Sequence, residues 1–325
     1  MRQRDEHAQY ERPGRRTRPR TKDRPRYDDA LPGRVLTIDR GRYTLSVESR
    51  TVTAMKARAI GRTGVVVGDD VRVVGDVSGE EGTLARIVDV AQRRTVLRRT
   101  ADDDDPVERI IVANADQLVV VAALADPPPR PGLIDRCLVA AFDAGMDPLV
   151  VLTKADLASP REMLDLLEPL DVRTIVTEQG AELAPVREAL HERTSVFIGH
   201  SGVGKSTLVN ALVPDAERST SHVNEVTGRG RHTSTSAMAL ELAEGGWIID
   251  TPGFRSFGLA HVEPDDVVRA FPDLQELSLQ CSRGCTHAAT EPECAWDAAV
   301  ADGRLDAARV TSVRRILQAK DNTAW

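Results

Sequence analysis

The chain has 325 residues, which is about twice the length of a typical domain, so two or three compact units are expected. Its 41% hydrophobic and 29% charged residues, with a net charge of -7, are typical of a folded protein and exclude collagen, coiled coil and wholesale disorder. The longest apolar run, Leu118–Ala125, is too short to cross a bilayer and the Arg-rich N-terminus cannot form the apolar core of a signal peptide, so the protein is expected to be soluble and cytoplasmic.

The N-terminal residues form a basic arm. Residues 1–27 contain ten Arg or Lys and four Asp or Glu, whereas the rest of the chain carries 33 basic and 46 acidic side chains. Because the arm is rich in Pro and Arg and has hardly an aliphatic side chain, residues 1–30 are predicted to be disordered. Such an arm suits a polyanion such as RNA, although a solvated tail explains the same composition.

Residues 31–97 alternate between apolar and polar positions in short runs separated by Gly-containing turns. This pattern predicts five strands, Arg34–Ile38, Tyr43–Val47, Thr51–Met55, Val71–Val74 and Leu84–Val88. Five short strands in this length predict a small closed β-barrel of the OB type, a fold that often binds nucleic acids, with an SH3-like barrel as the alternative. A barrel alone assigns no function.

Residues 98–260 are predicted to form an α/β domain with a buried, mostly parallel sheet, because fully apolar runs alternate there with helical stretches. The apolar runs are 117–124, 149–152, 172–176, 195–198 and 247–249, and the helical stretches are 132–144, 159–170 and 183–192. Residues 261–325 show two helical stretches, 264–279 and 304–319, and no convincing strand pattern. The fold class is therefore multidomain α/β with a helical C-terminal module.

A phosphate-binding loop follows the fourth apolar run. The segment Gly199-His-Ser-Gly-Val-Gly-Lys-Ser206 matches the pattern Gly-x4-Gly-Lys-Ser/Thr between a strand and a predicted helix, Thr207–Leu212. Its glycines let main-chain N–H groups face the phosphates, Lys205 lies along the terminal phosphates, and Ser206 offers a hydroxyl to Mg²⁺. The predicted nucleotide-binding residues of this loop are Gly199, His200, Ser201, Gly202, Val203, Gly204, Lys205, Ser206 and Thr207.

Two further segments fit a nucleoside-triphosphate switch. Asp250-Thr-Pro-Gly253 follows another apolar strand, which places Asp250 where it holds Mg²⁺ through water and Gly253 where its N–H senses the terminal phosphate. The polar stretch Gly228–Ser236 contains Thr233 and Thr235, either of which is a candidate for completing the Mg²⁺ coordination. An inert loop is the alternative for this stretch.

Guanine selection is predicted from Thr153-Lys-Ala-Asp156, which follows the apolar run 149–152. The carboxylate of Asp156 can accept hydrogen bonds from the N1–H and the exocyclic amine of guanine, whereas adenine presents no such donor pair. Lys154 is expected to stack its aliphatic stem on the base or the ribose. Lys-x-Asp alone is a weak signal, and its weight comes from the strand before it and from the phosphate loop.

A metal site is predicted near the C-terminus. Cys281-x3-Cys285-x-His287-x6-Cys294 offers three thiolates and one imidazole, enough for closed tetrahedral coordination of Zn²⁺. A closed site leaves no position for a reactive water, so its role is expected to be structural. Three buried cysteines without a metal are the alternative. Cys137 lies in a helical apolar pattern and is predicted to be ordinary core.

The order of these motifs is permuted, because the base-reading segment precedes the phosphate loop. Set between a β-barrel and a Cys/His module, Thr153–Asp156, Gly199–Ser206 and Asp250–Gly253 resemble the RsgA/YjeQ family of ribosome small-subunit-dependent GTPases. The resemblance covers about residues 31–318 and includes Asn114-x-Asp116. It implies an OB barrel and a zinc module that dock a permuted GTPase on rRNA of the small ribosomal subunit, with hydrolysis stimulated by that subunit during late maturation. It implies no membrane partner, and a monomer is expected.

Three positions depart from common patterns. Thr153 stands where many GTPases carry Asn, and a hydroxyl cannot supply both the donor and the acceptor of an amide, so modest nucleotide affinity is expected. Phe254 follows Gly253 where many GTPases soon place a water-orienting Gln, so hydrolysis by the free protein is expected to be slow, with His232 as a candidate catalytic group that positions water. The family usually spaces its first Cys pair one residue wider and the gap from His to the last Cys one residue narrower. The overall span is preserved, and Cys281 is the ligand whose position departs from the family spacing.

A GTPase that assists maturation of the small ribosomal subunit is the leading interpretation. The main alternative is an RNA-binding assembly factor that uses GTP binding without significant turnover. An ATP-using kinase or ATPase is disfavoured by the Asp156 carboxylate, which suits guanine.

Overall fold

The computed structural model describes residues 27–61, 64–100, 108–214, 237–251, 259 and 261–319. The strands in these residues are β1 Leu31–Asp39, β2 Arg42–Val47, β3 Arg50–Lys56, β4 Asp70–Gly75, β5 Ala85–Val90, β6 Val96–Thr100, β7 Glu108–Ala113, β8 Gln117–Ala123, β9 Asp147–Thr153, β10 Arg173–Val176, β11 Thr194–Ile198, β12 Met238–Glu241 and β13 Trp247–Asp250. The α-helices are α1 Pro131–Asp143, α2 Arg161–Leu167, α3 Ala184–Leu190, α4 Lys205–Leu212, α5 Pro264–Val268, α6 Pro272–Ser278, α7 Ala295–Ala301 and α8 Ala307–Ala319. Among these described helices, none combines the length and the apolarity that crossing a membrane requires.

Strands β1 to β5 form a closed barrel in the order β1-β2-β3-β5-β4, in which β4 pairs with β1 to complete the circle. Neighbouring strands are antiparallel except β3 and β5, which run parallel with Ala54 opposite Ala85. Because side chains alternate between the two faces of a strand, one set fills the interior, including Val35, Leu45 and Ile87. The predicted five-stranded, OB-like barrel is confirmed.

The second part of the sheet has the order β10-β9-β8-β11-β13-β12. Strands β8, β9, β10, β11 and β13 are parallel, as the fully apolar runs predicted, and each corresponds to one of those runs. Helices α1 and α2 cover one face of this sheet, whereas α3 and α4 cover the other, so the core is split into two layers. This arrangement places the loops after β9, β11 and β13 at one sheet edge, where α/β folds bind ligands.

The sequence patterns did not predict β6, β7 or β12. Strand β12 has four residues, pairs antiparallel with β13, and pairs with β1 of the barrel at one position, where Thr37 lies opposite Met238. Four residues are too few for a periodic pattern to be recognised. Through β12 the barrel and the α/β sheet join into one sheet of eleven strands.

The C-terminal region differs from the predicted pair of helices. The stretch 264–279 is two short helices, α5 and α6, because Pro272 lacks an N–H and the residue before it, Phe271, is held at φ -120° and ψ 82°, outside the helical region. Helix α7 was not predicted, and α8 begins at Ala307 rather than Arg304. Helices α5, α6 and α7 have only five to seven residues, which is too short for apolar periodicity to define them.

Candidate functional site

The phosphate loop lies at the carboxyl end of β11 and leads directly into α4. Gly202 and Gly204 have φ values of +84° and +87°, which favour glycine over any residue with a side chain. A Cβ atom on Gly199 would lie 2.7 Å from the carbonyl oxygen of Val121, closer than real contacts allow. These glycines therefore let the main chain turn tightly before α4, so that the N–H groups at the start of the helix can bind an anion.

Lys205 and Asp250 meet at this loop. The Lys205 ammonium donates to the carboxylate of Asp250 and, at 2.9 Å, to the carbonyl oxygen of Thr251. Thr251 is itself fixed, because its hydroxyl donates to the carbonyl oxygen of Phe197 at 2.7 Å. The Lys205 side chain is only 10% exposed, so its charge is held at the loop rather than in solvent.

The residues at this edge suit Mg²⁺. Ser206 lies at the exposed start of α4 and Asp250 ends β13, so a hydroxyl and a carboxylate are available at neighbouring chain segments. Such hard oxygen ligands are those that Mg²⁺ takes beside phosphate groups. The residues present therefore fit the predicted magnesium site.

The segment Thr153–Asp156 follows β9 at the same end of the parallel sheet as the phosphate loop, with β8 between the two strands. Asp156 is exposed at this edge, whereas Thr153 is buried and its hydroxyl donates to the carbonyl oxygen of Val203 at 2.7 Å. The ammonium of Lys154 donates to the carbonyl oxygen of Asp126. Two of the segments that sequence analysis assigned to one nucleotide are thus in direct contact, although about fifty residues separate them in the chain.

Residues at the end of β10 were missed by the sequence analysis. The N–H of Thr177 donates to the carbonyl oxygen of Leu152 at 2.8 Å, and the N–H of Ala155 donates to the carbonyl oxygen of Thr177 at 3.2 Å. Thr177 therefore holds the segment Thr153–Asp156, which is predicted to read the base, from the neighbouring strand. The only available signal was its position at the end of an apolar run.

Several predicted residues lie outside the described part of the chain. These are Gly253, the stretch Gly228–Ser236 with its candidates His232, Thr233 and Thr235, and Phe254.

The predicted metal ligands converge. The ligand atoms of Cys281, Cys285, His287 and Cys294 all lie within 4.8 Å of one another. The distances from the Nδ1 atom of His287 to the three sulfur atoms are 3.8, 3.6 and 3.6 Å. Zn–S and Zn–N bonds at a tetrahedral angle put such atoms about 3.6 Å apart, so the donor set and its geometry fit Zn²⁺.

Neighbouring residues fix the imidazole of His287. Its ring stacks on Trp296 with centroids 4.1 Å apart and planes 6° from parallel, and the Trp296 N–H donates to the carbonyl oxygen of Leu274 at 3.1 Å. Burial lowers the pKa of His287, which favours the neutral ring that metal ligation needs. Arg314 donates to the His287 carbonyl oxygen at 2.6 Å and binds both oxygens of Asp297 at 2.8 Å. The fourth cysteine, Cys137, is buried in the core, where burial raises its pKa to about 12.

Helix α8 ties this cluster to the α/β domain. Arg315 binds both oxygens of the buried Asp135 in α1, at 2.9 and 3.1 Å. Arg309 binds Asp273 at 2.6 and 3.0 Å, Asp171 at 2.8 Å, and lies over the ring of Phe271. The region of the cysteine cluster is therefore packed directly against the α/β domain.

Asn114 and Asp116 join the barrel to the α/β domain. The amide of Asn114 donates to the carbonyl oxygen of Gly68 at 3.0 Å and accepts from the N–H of Arg94 at 2.9 Å. Asp116 accepts from the guanidinium of Arg94 at 2.9 Å and from the N–H of Thr194, at the start of β11, at 2.8 Å. This pair has a structural role at the junction between the two units.

A phosphate loop, a Lys-x-Asp segment that precedes it in the chain, and the parallel sheet that carries both are the features of a circularly permuted P-loop GTPase. The comparisons with known proteins agree. The family model described as RsgA GTPase matches residues 90–260. The small ribosomal subunit biogenesis GTPase RsgA of Chlorobaculum parvum is 37% identical over 285 residues, covering 85% of this chain and 91% of the relative. The chain belongs to the RsgA GTPase family.

Further relatives support the same fold. The small ribosomal subunit biogenesis GTPase RsgA of Ectopseudomonas mendocina is 42% identical over 216 residues, covering 64% of this chain and 62% of the relative. The crystal structure of YjeQ from Thermotoga maritima matches with a TM-score of 0.66 at 24% identity, covering 91% of this chain and all of that one. YloQ, described as a circularly permuted GTPase, matches with a TM-score of 0.66 at 23% identity, covering 92% and 98%.

Proposed function

We propose that the chain is a GTPase that binds the small ribosomal subunit and assists its late maturation. One observation carries this proposal: the phosphate loop and the Lys-x-Asp segment meet at one sheet edge, joined by the Thr153–Val203 hydrogen bond. The relatives named as small ribosomal subunit biogenesis GTPases support the biological role.

The phosphate loop is proposed to bind the triphosphate. Main-chain N–H groups at the start of α4 hold phosphate oxygens, and the Lys205 ammonium offsets the negative charge that develops on them during hydrolysis. Ser206 and Asp250 would hold Mg²⁺, Asp250 through water. When bound, this ion neutralises phosphate oxygens. Asp156 is proposed to read guanine, with Lys154 along the base or the ribose.

The switch residues complete this proposal. Gly253 would sense the terminal phosphate, Thr233 or Thr235 would complete the Mg²⁺ coordination, and His232 would position the attacking water. Without a Gln after Gly253, free hydrolysis is slow and depends on the bound subunit for stimulation.

The chain is proposed to have four parts: an arm over residues 1–30, the barrel over 31–97, the GTPase domain over 98–260 and the zinc module over 261–325. The arm, the barrel and the zinc module are proposed to dock the GTPase domain on rRNA. Zn²⁺ is structural, because its four ligands leave no open position. The protein is proposed to act as a monomer in the cytoplasm, where ribosomal subunits mature.

Multiple-turnover hydrolysis of GTP, with and without purified small ribosomal subunits, tests the proposal. We expect subunits to raise the turnover rate by about 10-fold or more, since trans-acting stimulation of GTPases is at least that large. Lys205→Ala is the control and should lose the stimulated rate. Saturable GTP binding without any stimulated turnover would favour the RNA-binding assembly factor, and equal competition by ATP would contradict guanine selection.

A further inference from the structure

Strand β12 lies between the barrel and the nucleotide edge. Its first residue, Met238, lies opposite Asp250 of β13 on one side and opposite Thr37 of β1 on the other. Asp250 is the carboxylate that accepts from the Lys205 ammonium at the phosphate loop. Because neighbouring strands lie only about 4.8 Å apart, one short row of main-chain positions leads from the barrel across β12 to this carboxylate.

The position of β12 depends on the strands beside it. It has four residues, and Ala239 and Leu240 are buried in the two different core layers of the α/β domain. Without β1, β12 would be an edge strand with unpaired main-chain groups, and β1 covers this edge at Met238. Met238 also follows closely after the stretch Gly228–Ser236, in which candidates for Mg²⁺ coordination were predicted.

Strand β1 belongs to both units. Val35 lies in the barrel interior, whereas Leu36 packs against the core of the α/β domain and Ile38 packs against both cores. The register of β1 with β2 shifts between Val35 and Thr37, which is the pattern of a β-bulge, and a bulge bends its strand and re-aims the side chains. The bend comes directly before Thr37, where β1 pairs with β12.

Arg34 fixes the same strand at the opposite edge of the α/β sheet. Its guanidinium donates to the hydroxyl of Thr194 at 3.3 Å, at the start of β11, and lies over the ring of Trp247, 5.6 Å from the centroid, at the start of β13. Its Nε atom donates to the carboxylate of Asp70, in the barrel, at 3.2 Å. Arg34 and Thr37 therefore hold β1 against the sheet at two levels.

We propose that β1 positions β12 and the nucleotide edge, so that a partner held by the barrel raises the rate of hydrolysis through the Thr37–Met238 pair. The partner is the rRNA of the small ribosomal subunit, so the inference rests on the proposed function. Arg34 is a positioning residue, because its contacts lie at the amino ends of β11 and β13, away from the nucleotide edge. Its loss loosens β1 and leaves every residue assigned to the nucleotide in place.

The first test compares Arg34→Ala with Arg72→Ala, a barrel arginine that donates to the carbonyl oxygens of Tyr27 and Ala30. The measurements are the turnover rate with saturating small subunits relative to the rate without them, and the hydrogen exchange of the β12 amides. We expect Arg34→Ala to lower the stimulation and the protection of β12 by about 3- to 10-fold, the range that one net contact represents. Its GDP affinity and its co-sedimentation with subunits should stay within about twofold, and Arg72→Ala should change none of these quantities.

A disulfide tests the Thr37–Met238 pair itself. Thr37→Cys with Met238→Cys, made in the Arg34→Ala chain, places thiols on opposite residues of antiparallel strands, whose Cα atoms lie about 4.5 to 5.5 Å apart, within the span of a disulfide. Oxidation should restore the stimulation and the protection of β12 to within about twofold of the wild type, and reduction should remove both. The matched control, Thr44→Cys with Thr53→Cys, joins opposite residues inside the barrel and should restore neither. An unchanged zinc content shows that the clustered cysteines are not oxidised.

Three results would overturn the inference: unchanged stimulation in Arg34→Ala, equal rescue by the control disulfide, or failure of the Thr37–Met238 pair to form a disulfide where the control pair forms one. If thermal unfolding shows that Arg34→Ala is not folded, Arg34→Met replaces it, because it keeps an apolar contact with Trp247 and removes the charge. A wild type that is stimulated by subunits leaves the proposed function intact in each of these cases. A wild type without any stimulation would overturn both.

Discussion

The barrel and the region around the cysteine cluster, residues 261–319, are each stabilised in a different way. The barrel closes on itself by main-chain hydrogen bonds and has its own apolar interior, formed by residues such as Leu45 and Ile87. The helices around the cysteine cluster have five to thirteen residues, and their apolar side chains, including Phe271 and Trp296, belong to the same core as α1. The barrel has a core of its own, whereas the helices around the cysteine cluster share the core of the α/β domain and carry a donor set that fits a metal.

The two units are also attached to the α/β domain in different ways. The barrel joins the α/β domain through the pairing of β1 with β12 and through side-chain contacts such as Asn114 with Gly68, whereas its interior is a separate apolar cluster. The region around the cysteine cluster joins the α/β domain through Arg309, which binds Asp171, and through Arg315, which binds Asp135. Arg309 also binds Asp273 within its own region. We therefore expect changes in the barrel interior to stay local and changes near the cluster to reach the α/β domain.

The largest effect is expected from loss of a metal ligand. Cys285→Ser should release Zn²⁺ and increase hydrogen exchange in residues 281–301, because binding energy of a structural zinc is folding energy. Barrel strands should keep their protection. Cys137→Ala removes a cysteine that is not part of the cluster and should leave zinc content unchanged. Unaltered exchange in Cys285→Ser would show that the region folds without the metal.

A smaller effect is expected from the barrel interior. Leu45 is fully buried, and Leu45→Ala should destabilise the barrel by about 2 to 5 kcal/mol through lost contacts and a cavity. Denaturant unfolding, monitored by hydrogen exchange, should show that the loss of stability lies in β1 to β5. The zinc content should be unchanged. Loss of zinc in this variant would contradict the independence of the two units.

The junction itself is the next test. Asn114 is buried and holds a positive φ of 58°, and Asn114→Ala leaves the Gly68 carbonyl and the Arg94 N–H without their partners. We expect a loss of about 1 to 3 kcal/mol in the free energy of unfolding. Asn114→Gly keeps the backbone conformation but removes the same bonds. If the Gly variant is as stable as the wild type, backbone strain rather than the hydrogen bonds explains the effect.

The smallest expected effect is a pH dependence. Hydrogen bonds from Arg309 lower the pKa of Asp273 below its ordinary value. A carboxyl with a lowered pKa in the folded state stabilises the protein above the ordinary carboxyl pKa of about 4 and loses this contribution as the pH falls through the lowered value. Asp273→Asn should therefore be less stable than the wild type at pH 7, with the difference shrinking below about pH 4. A constant difference across this range would contradict the assigned ion pair.

The sequence predicted the parts whose signal is local. Alternation defined the barrel strands, and the tight spacing of Gly199, Gly202 and Gly204 defined the phosphate loop. The cysteine cluster was predicted because its four ligands lie within fourteen residues.

The parts that were missed depend on tertiary contacts. Strand β12 forms only because β13 and β1 offer partners, and α6 starts at a proline that interrupts the helical pattern. The Thr153–Val203 hydrogen bond joins residues fifty positions apart, so no spacing rule could find it.

The most direct test of the account is a calorimetric comparison of GDP, ADP and xanthosine diphosphate on the wild type and on Asp156→Asn, with Mg²⁺ present. The wild type should bind GDP and reject ADP. The affinity of the variant for GDP should fall by about 100-fold or more and its affinity for xanthosine diphosphate should rise, because an amide donates where a carboxylate only accepts. A wild type that binds ADP as well as GDP, or a variant with unchanged preference, would contradict the claim that Asp156 reads guanine beside the Lys205 loop.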